Sequence, residues 1–174
     1  MADQRVERFE QVVLPHLDDA YTLARYLLRD EHDAQDAVQE SVLRALRYFD
    51  GFRDGDARAW LLTIVRNYCY TWEKEHRTDR MTVPFTDDES TVIADPHSTD
   101  DRVIQAGERE RVQLAVDALS TELREVIVLR EINDLSYREI SEVVGIPMGT
   151  VMSRLARARK HLAGSLGVDS RKAG

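Results

Sequence analysis

Cysteine is nearly missing from the chain: Cys69 stands alone among 174 residues. No intramolecular disulfide can form, and a reducing compartment is expected. Proline and glycine are scarce, at 4 and 8 residues, which argues for a folded, mostly helical protein over a disordered one. No apolar run approaches the roughly 18 residues of a membrane span. The N-terminal MADQRVERFEQ lacks the apolar core of a secretory signal. The expectation is a soluble, cytoplasmic protein with no membrane insertion of its own. His16, His32, His76, His97 and His161 are dispersed, without H-E-x-x-H or paired-cysteine spacing. No glycine loop suited to cradling phosphate is present. No metal, cofactor or catalytic residue is therefore expected, nor enzymatic activity; Cys69 reads as a small packed residue.

Positive charge is also short overall, with a formal net charge of -8, but its distribution is uneven. Residues 78–104 carry 2 Lys/Arg against 7 Asp/Glu, whereas residues 136–174 carry 7 against 3. A nucleic-acid footprint is a local basic patch, so an acidic total does not exclude DNA binding. It does predict weak non-specific affinity, because the rest of the chain repels the duplex.

Residues 7–29 repeat apolar positions at helical spacing, from Phe9 through Leu28, with Pro15 placed to kink or divide the segment. A second helix is predicted from about Asp33, a candidate N-cap, to Phe49. The stretch DGFRDGD, Asp50 to Asp56, reads as a loop, and a third helix follows from about Ala57 to Arg77. Residues 78–101 hold two prolines, a carboxylate run and no sustained period, and read as a linker. Val103 to Leu119 is again helical; Ser120 or Thr121 can cap the next helix, ending near Asn133-Asp134. The fold class expected is all-α: two small helical domains joined by an acidic linker.

The segment LSYREISEVVGIPMGTVMSRLARARKHL, Leu135 to Leu162, is the most informative. Ser136 and Glu139 form an S-x-x-E capping box. Ile140, Val143 and Val144 give that helix one apolar face, and Gly145 sits where a left-handed residue would end it. Ile146 anchors the turn and Pro147 suits the first turn of a new helix. Val151 and Leu155 face back toward the first helix. This is a helix-turn-helix pattern, whose second helix enters the major groove. Its outward side carries Thr150, Ser153, Arg154, Arg157 and Lys160. Arginine can contact guanine edges through two parallel bonds, while lysine and hydroxyl groups more often hold phosphates. For Arg159 and His161, a cation at a helix C-terminal half serves equally well.

On the third helix, Leu61, Ile64, Val65, Tyr68 and Trp72 form an apolar stripe suited to a core, with Trp60 beside it. The opposite face carries Thr63, Arg66, Asn67, Tyr70 and Lys74, with Thr71 adjacent. Polar groups interleaved with an aromatic can hold single-stranded DNA. On the second helix Asp36, Gln39, Glu40, Leu43 and Arg47 share one face. Periodicity alone makes that face an ordinary solvated surface.

The string LREVIVLREINDLSYREISEVVGIPMGTVMSRLARARKHL resembles region 4 of the extracytoplasmic-function (ECF) sigma factors, promoter-specificity subunits of bacterial RNA polymerase. Its G-T-V-x-S-R-L-x-R-A-R element is the most specific part. DAQDAVQESVLRALRYFDGF resembles the region 2 segment that docks on the polymerase clamp, and DARAWLLTIVRNYCYTWEKEHR the part that opens and reads promoter DNA. Departures exist: Glu73 and Glu75 interrupt a stretch that is often basic, Thr71 replaces a frequent aspartate, and Ser141 stands where alanine is usual.

The resemblance implies residues 1–77 as a region 2 domain, 78–104 as acidic linker, 105–166 as a region 4 domain and 167–174 as a tail. It implies that Asp36, Gln39, Glu40, Leu43 and Arg47 bind core polymerase. Arg66, Asn67, Tyr70, Thr71 and Lys74 would contact melted minus-ten DNA, with an extruded base held by the Phe52–Asp56 loop. Thr150, Ser153, Arg154, Arg157 and Lys160 would read duplex minus-thirty-five DNA. The partners implied are core RNA polymerase, promoter DNA and an anti-sigma factor. The linker either imitates RNA in the polymerase channel or is a plain tether. The competing function is a stand-alone helix-turn-helix regulator that binds an operator without polymerase.

Overall fold

The computed structural model describes residues 1–77 and 107–167. The acidic linker, the beginning of the helix expected from Val103, and the tail beyond Gly167 lie outside the described residues. The described residues form helices and turns only.

The first module contains α1 (Ala2–Val13), α2 (Leu17–Leu28), α3 (Glu31–Tyr48) and α4 (Ala57–His76). The first helix begins earlier than its apolar pattern suggested. A 3-10 turn at Leu14–His16, with Pro15 in its first positions, divides α1 from α2. Proline supplies no N–H and crowds the preceding turn, so the α-helical ladder restarts after it. Arg29, at φ 59, ends α2 in the left-handed region. Asp30 then caps α3: its carboxylate accepts the Asp33 N–H at 2.9 Å. The expected cap, Asp33, thus lies one turn inside and donates to the true one. Asp56 caps α4 in the same manner, accepting from Ala59 at 3.0 Å.

The second module contains α5 (Glu108–Asp117), α6 (Thr121–Ile127), a π-helical turn (Val128–Ile132), α7 (Tyr137–Val144) and α8 (Met148–Leu166). Ser120 occupies the N-cap of α6 but makes no side-chain capping bond. The Arg124 side chain organises this corner instead. It is almost fully buried, and donates to the carbonyls of Asp117 at 3.2 Å and Leu119 at 2.9 Å. Burial depresses its pKa to about 10, yet the carbonyls at the end of α5 favour a cation there. The helix expected to continue to Asn133 widens into the π turn, where the Asn133 N–H reaches the Val128 carbonyl.

The capping box of α7 is complete: Ser136 accepts from the Glu139 N–H at 3.1 Å, and Glu139 accepts from the Ser136 N–H at 2.7 Å. Gly145 closes α7 at φ 75 with no side chain to strain that conformation. The Ser141 hydroxyl donates to the Ile146 carbonyl and ties the turn shut. Pro147 stands at the N-cap of α8, one position before the first turn. Its carbonyl accepts from Thr150 and Val151.

Leu23, Leu27, Leu61, Leu62 and Val65 are the centre of the first module. Leu129, Leu135, Ile140, Val151 and Leu155 are the centre of the second. Both belong to one continuous buried apolar cluster, because α4 packs on α7, and α2 packs on α6 and the π turn. Cys69 is packed in this interior, and burial pushes its thiol pKa up to about 12.

Candidate nucleic-acid and polymerase interfaces

The second helix of the helix-turn-helix, α8, buries Val151, Leu155 and Ala158. That fixes its opposite side toward solvent. Ser153, Arg157 and Lys160 are exposed there and Thr150 is half-buried. Arg154 departs from this face. Only 17% of its side chain is exposed, and its Nη2 lies 3.7 Å from Glu122 on α6. Arg159 is held by Glu131 at 2.8 Å. Among the described residues, Arg157 and Lys160 are therefore the unpaired Lys/Arg side chains of α8, rather than the whole arginine run.

All of the α3 residues singled out in the sequence share one exposed surface: Asp36, Gln39, Glu40, Leu43 and Arg47. Beside them lies an open apolar groove of about 340 Å³, lined by Leu17, Tyr21, Val38, Val42 and Leu43 among others. Leu43 is 51% exposed and Leu14 50%. Leu43 lines the groove, so that an apolar strip borders the polar residues of α3.

The α4 residues divide. Asn67, Thr71 and Lys74 are exposed, and the Thr71 hydroxyl donates to the Asn67 carbonyl at 3.0 Å. Arg66 and Tyr70 turn toward the second module. Arg66 donates from Nε to Glu125 at 2.9 Å and from Nη2 to the other carboxylate oxygen at 3.3 Å. Its guanidinium carbon lies 3.9 Å from the Tyr70 ring centroid. Glu125 has no exposed side-chain surface. Burial pushes its carboxyl pKa up while Arg66 opposes the rise. Burial likewise pushes the Tyr70 phenol up.

The loop before α4 frames an open cavity of about 470 Å³, lined by Phe52, Asp56, Trp60 and Thr63. Phe52 and Trp60 pack with centroids 4.8 Å apart, and Phe52 stacks on Phe49 at 6.1 Å. Gly51, Arg53 and Ala59 also line it, and the second module contributes Glu142, from α7.

Two family matches fall on the two modules: Sigma-70 region 2 on residues 12–78 and Sigma-70, region 4 on residues 109–162. The chain is 32% identical to the ECF RNA polymerase sigma factor SigM of Mycobacterium tuberculosis, over 91% of this chain and 77% of that protein. The chain belongs to the ECF sigma factors. It is also 31% identical to SigE of Mycolicibacterium smegmatis over 88% of this chain, spanning 60% of that longer relative. Among solved structures, the sigma factor RpoE in complex with the anti-sigma factor NepR from Bartonella quintana is similar, with a TM-score of 0.73 and 29% identity. That likeness covers 94% of this chain and 99% of that one. As an ECF sigma factor the chain directs transcription initiation, and the stand-alone regulator is disfavoured by the region 2 match. Among the described residues no helix is long and apolar enough to cross a membrane.

The seam between the modules is lined by Asp19, Arg58 and Glu125, which sequence reasoning passed over, and by Asn133 and Glu139, which it read only as a helix end and a capping residue. Arg58 donates to the Asn133 carbonyl at 3.2 Å and to Glu139 at 3.4 Å. The Asn133 amide reaches the Asp19 carbonyl and carboxylate, each at 3.2 Å. One signal was available, since Glu125 directly precedes the apolar run VIVL. A buried charge in such a setting needs a partner.

Proposed function

We propose that this ECF sigma factor binds core RNA polymerase through Asp36, Gln39, Glu40, Leu43 and Arg47, with the adjoining apolar groove. It then reads duplex minus-thirty-five DNA with α8 and melted minus-ten DNA with α4 and the loop before it. The observation that carries this reading is the paired placement of the two surfaces: a solvent-facing cationic side on α8 and a mixed apolar-polar face on α3. Arg157 is the candidate for guanine recognition; Thr150, Ser153 and Lys160 suit phosphates. Arg154 would join them only by leaving Glu122. Asn67, Thr71 and Lys74 suit the melted strand, joined by Arg66 and Tyr70 once those are uncovered. The site of action is the cytoplasm, where the polymerase is, and the chain performs no chemistry of its own.

An anti-sigma factor is a further partner; the RpoE relative is in complex with one. Residues 78–104, with their 7 carboxylates, tether the modules and imitate RNA in a basic channel. Run-off transcription with purified core polymerase tests the whole. Promoter-dependent transcripts that need this chain support it; an operator bound tightly without polymerase would favour a stand-alone regulator.

A further inference from the structure

The aromatic cavity before α4 has a support that the proposed function leaves unused. Phe52 and Trp60 form its aromatic wall, and both rings pack on Phe49, with centroids 6.1 and 6.4 Å away. Phe49 in turn is seated on α1. The Phe9 ring meets it edge-on at 5.3 Å, and the Arg8 guanidinium carbon lies 5.7 Å from its centroid. Phe9 and Phe49 are each only 4% exposed. Arg5, Arg8 and Phe9 stand three and four residues apart, so one side of α1 carries all three.

The two arginines also hold the loop by its carboxylates. Arg5 donates from Nη2 to the Leu46 carbonyl at 2.8 Å and from Nε to Asp50 at 2.8 Å. One guanidinium thus ties the last turn of α3 to the first residue of the loop. Arg8 donates from Nη2 to Asp54, toward the far end of the loop, at 3.5 Å. Asp50 and Asp54 are largely open to solvent, with 77% and 99% of their side chains exposed. Carboxylates so open, on a loop assigned to DNA, repel the phosphate chain. Their pairing with α1 gives them a use that offsets this repulsion.

We propose that α1 is a positioning element for base capture. Arg5 and Arg8 pin the loop at Asp50 and Asp54, and Phe9 sets the Phe49 ring on which the cavity wall rests. All three stand behind the cavity lining rather than in it, so they act on an extruded base through the loop. A loop ordered before the base arrives loses less freedom on binding it, and capture is tighter for that reason. The inference rests on the assignment of this loop and cavity to an extruded base.

The full-length chain bound to core polymerase is tested as wild type, Asp50→Ala, Arg5→Ala and the double variant. Binding is read by fluorescence anisotropy with a labelled single strand of about 20 nucleotides that carries the downstream element found by start-site mapping. A duplex that carries only the upstream element is the comparison. Thermal unfolding verifies that each free variant stays folded. Asp50→Ala should weaken single-strand binding about fivefold, because the loop must then be ordered at capture. Upstream-duplex binding should shift by less than about twofold, as for a surface change away from that site. Simple charge predicts the opposite sign: removing an aspartate lessens repulsion of the phosphates and tightens both ligands. Arg5→Ala should show a similar loss, and the double variant no greater loss than Arg5→Ala alone, since the two residues act as one contact. Single-strand binding by folded Asp50→Ala that equals or exceeds wild type overturns the proposal. So does an equal loss on the upstream duplex, or losses that add in the double variant. Asp54→Ala, which frees Arg8, should behave as Asp50→Ala does, and it decides if Asp50→Ala does not fold. A scrambled single strand separates the two levels. If the wild-type complex does not prefer the element strand over it, the loop assignment falls and the positioning role falls with it; if that preference is present while the variants bind like wild type, only the positioning role falls.

Discussion

Arg154 and Arg157 sit one turn apart on α8, and replacing each by alanine should give opposite phenotypes. Arg157 is exposed and, among the described residues, has no side-chain partner. Its loss should leave folding almost untouched, within about 0.5 kcal/mol for a surface change. If it grips a guanine with two bonds, its loss costs about 1–3 kcal/mol of discrimination, roughly 5- to 150-fold in promoter affinity. Arg154 is 17% exposed and lies 3.7 Å from Glu122, itself 41% exposed. A pair that open contributes about 0–1 kcal/mol, and the buried stem adds packing against α6. Arg154→Ala should therefore lower the melting temperature by several degrees, at about 4–8 °C per kcal/mol for a small domain. Calorimetry on the free protein and gel retardation of the polymerase complex on wild-type and mutated upstream elements measure both quantities. Arg157→Ala should lose the preference for one base pair, whereas Arg154→Ala should keep it. A stable Arg154→Ala that loses base preference, beside an Arg157→Ala that keeps it, would refute the assignment of faces.

Other outcomes follow from single contacts. Lys160→Ala should weaken binding evenly across sequences and reduce the salt slope by about 1, read by titrating salt in the same retardation assay. Leu43→Ala should weaken capture by core polymerase by about tenfold, for about 1–2 kcal/mol of apolar surface, with no change in melting; surface capture at graded concentrations measures it. Leu155→Ala, at a position 1% exposed, should destabilise by about 2–5 kcal/mol, visible in urea denaturation. Alkali should also destabilise the fold. Burial raises the Cys69 pKa to about 12 and raises that of Tyr70, so the folded state keeps protons that the unfolded state releases. That stability is complete below the unfolded thiol's pKa and is lost progressively as pH rises toward 12. Urea melts between neutral pH and pH 10 should show the decline, and a flat profile would contradict it.

Much of the helix-turn-helix was legible because its determinants are local. The Ser136–Glu139 box, Gly145 and the Val151–Leu155 spacing each act within a turn or two of chain, and each takes the form its residue types suggest. The α3 face was equally legible, since a helix fixes which side chains share a side. Caps were less so: Asp30 and Asp33 offer the same chemistry, and only the end of α2 at Arg29 decides between them. The π turn and the role of Arg124 were not legible, because both depend on how α5 and α6 meet. The seam was least legible of all. Arg66 and Glu125 are 59 positions apart, and Asn133 and Asp19 are 114 apart. Nothing periodic in either segment announces the other. The same helix face therefore reads as a nucleic-acid surface in the sequence and is half-covered by protein in the fold.

The most direct measurement is transcription by purified core polymerase, with and without this chain, on a library of genomic fragments with start sites mapped. New initiation sites that share an upstream and a downstream element, and appear only when the chain is present, are the predicted result. Core polymerase that neither retains the chain nor starts at any new position in its presence would contradict the account.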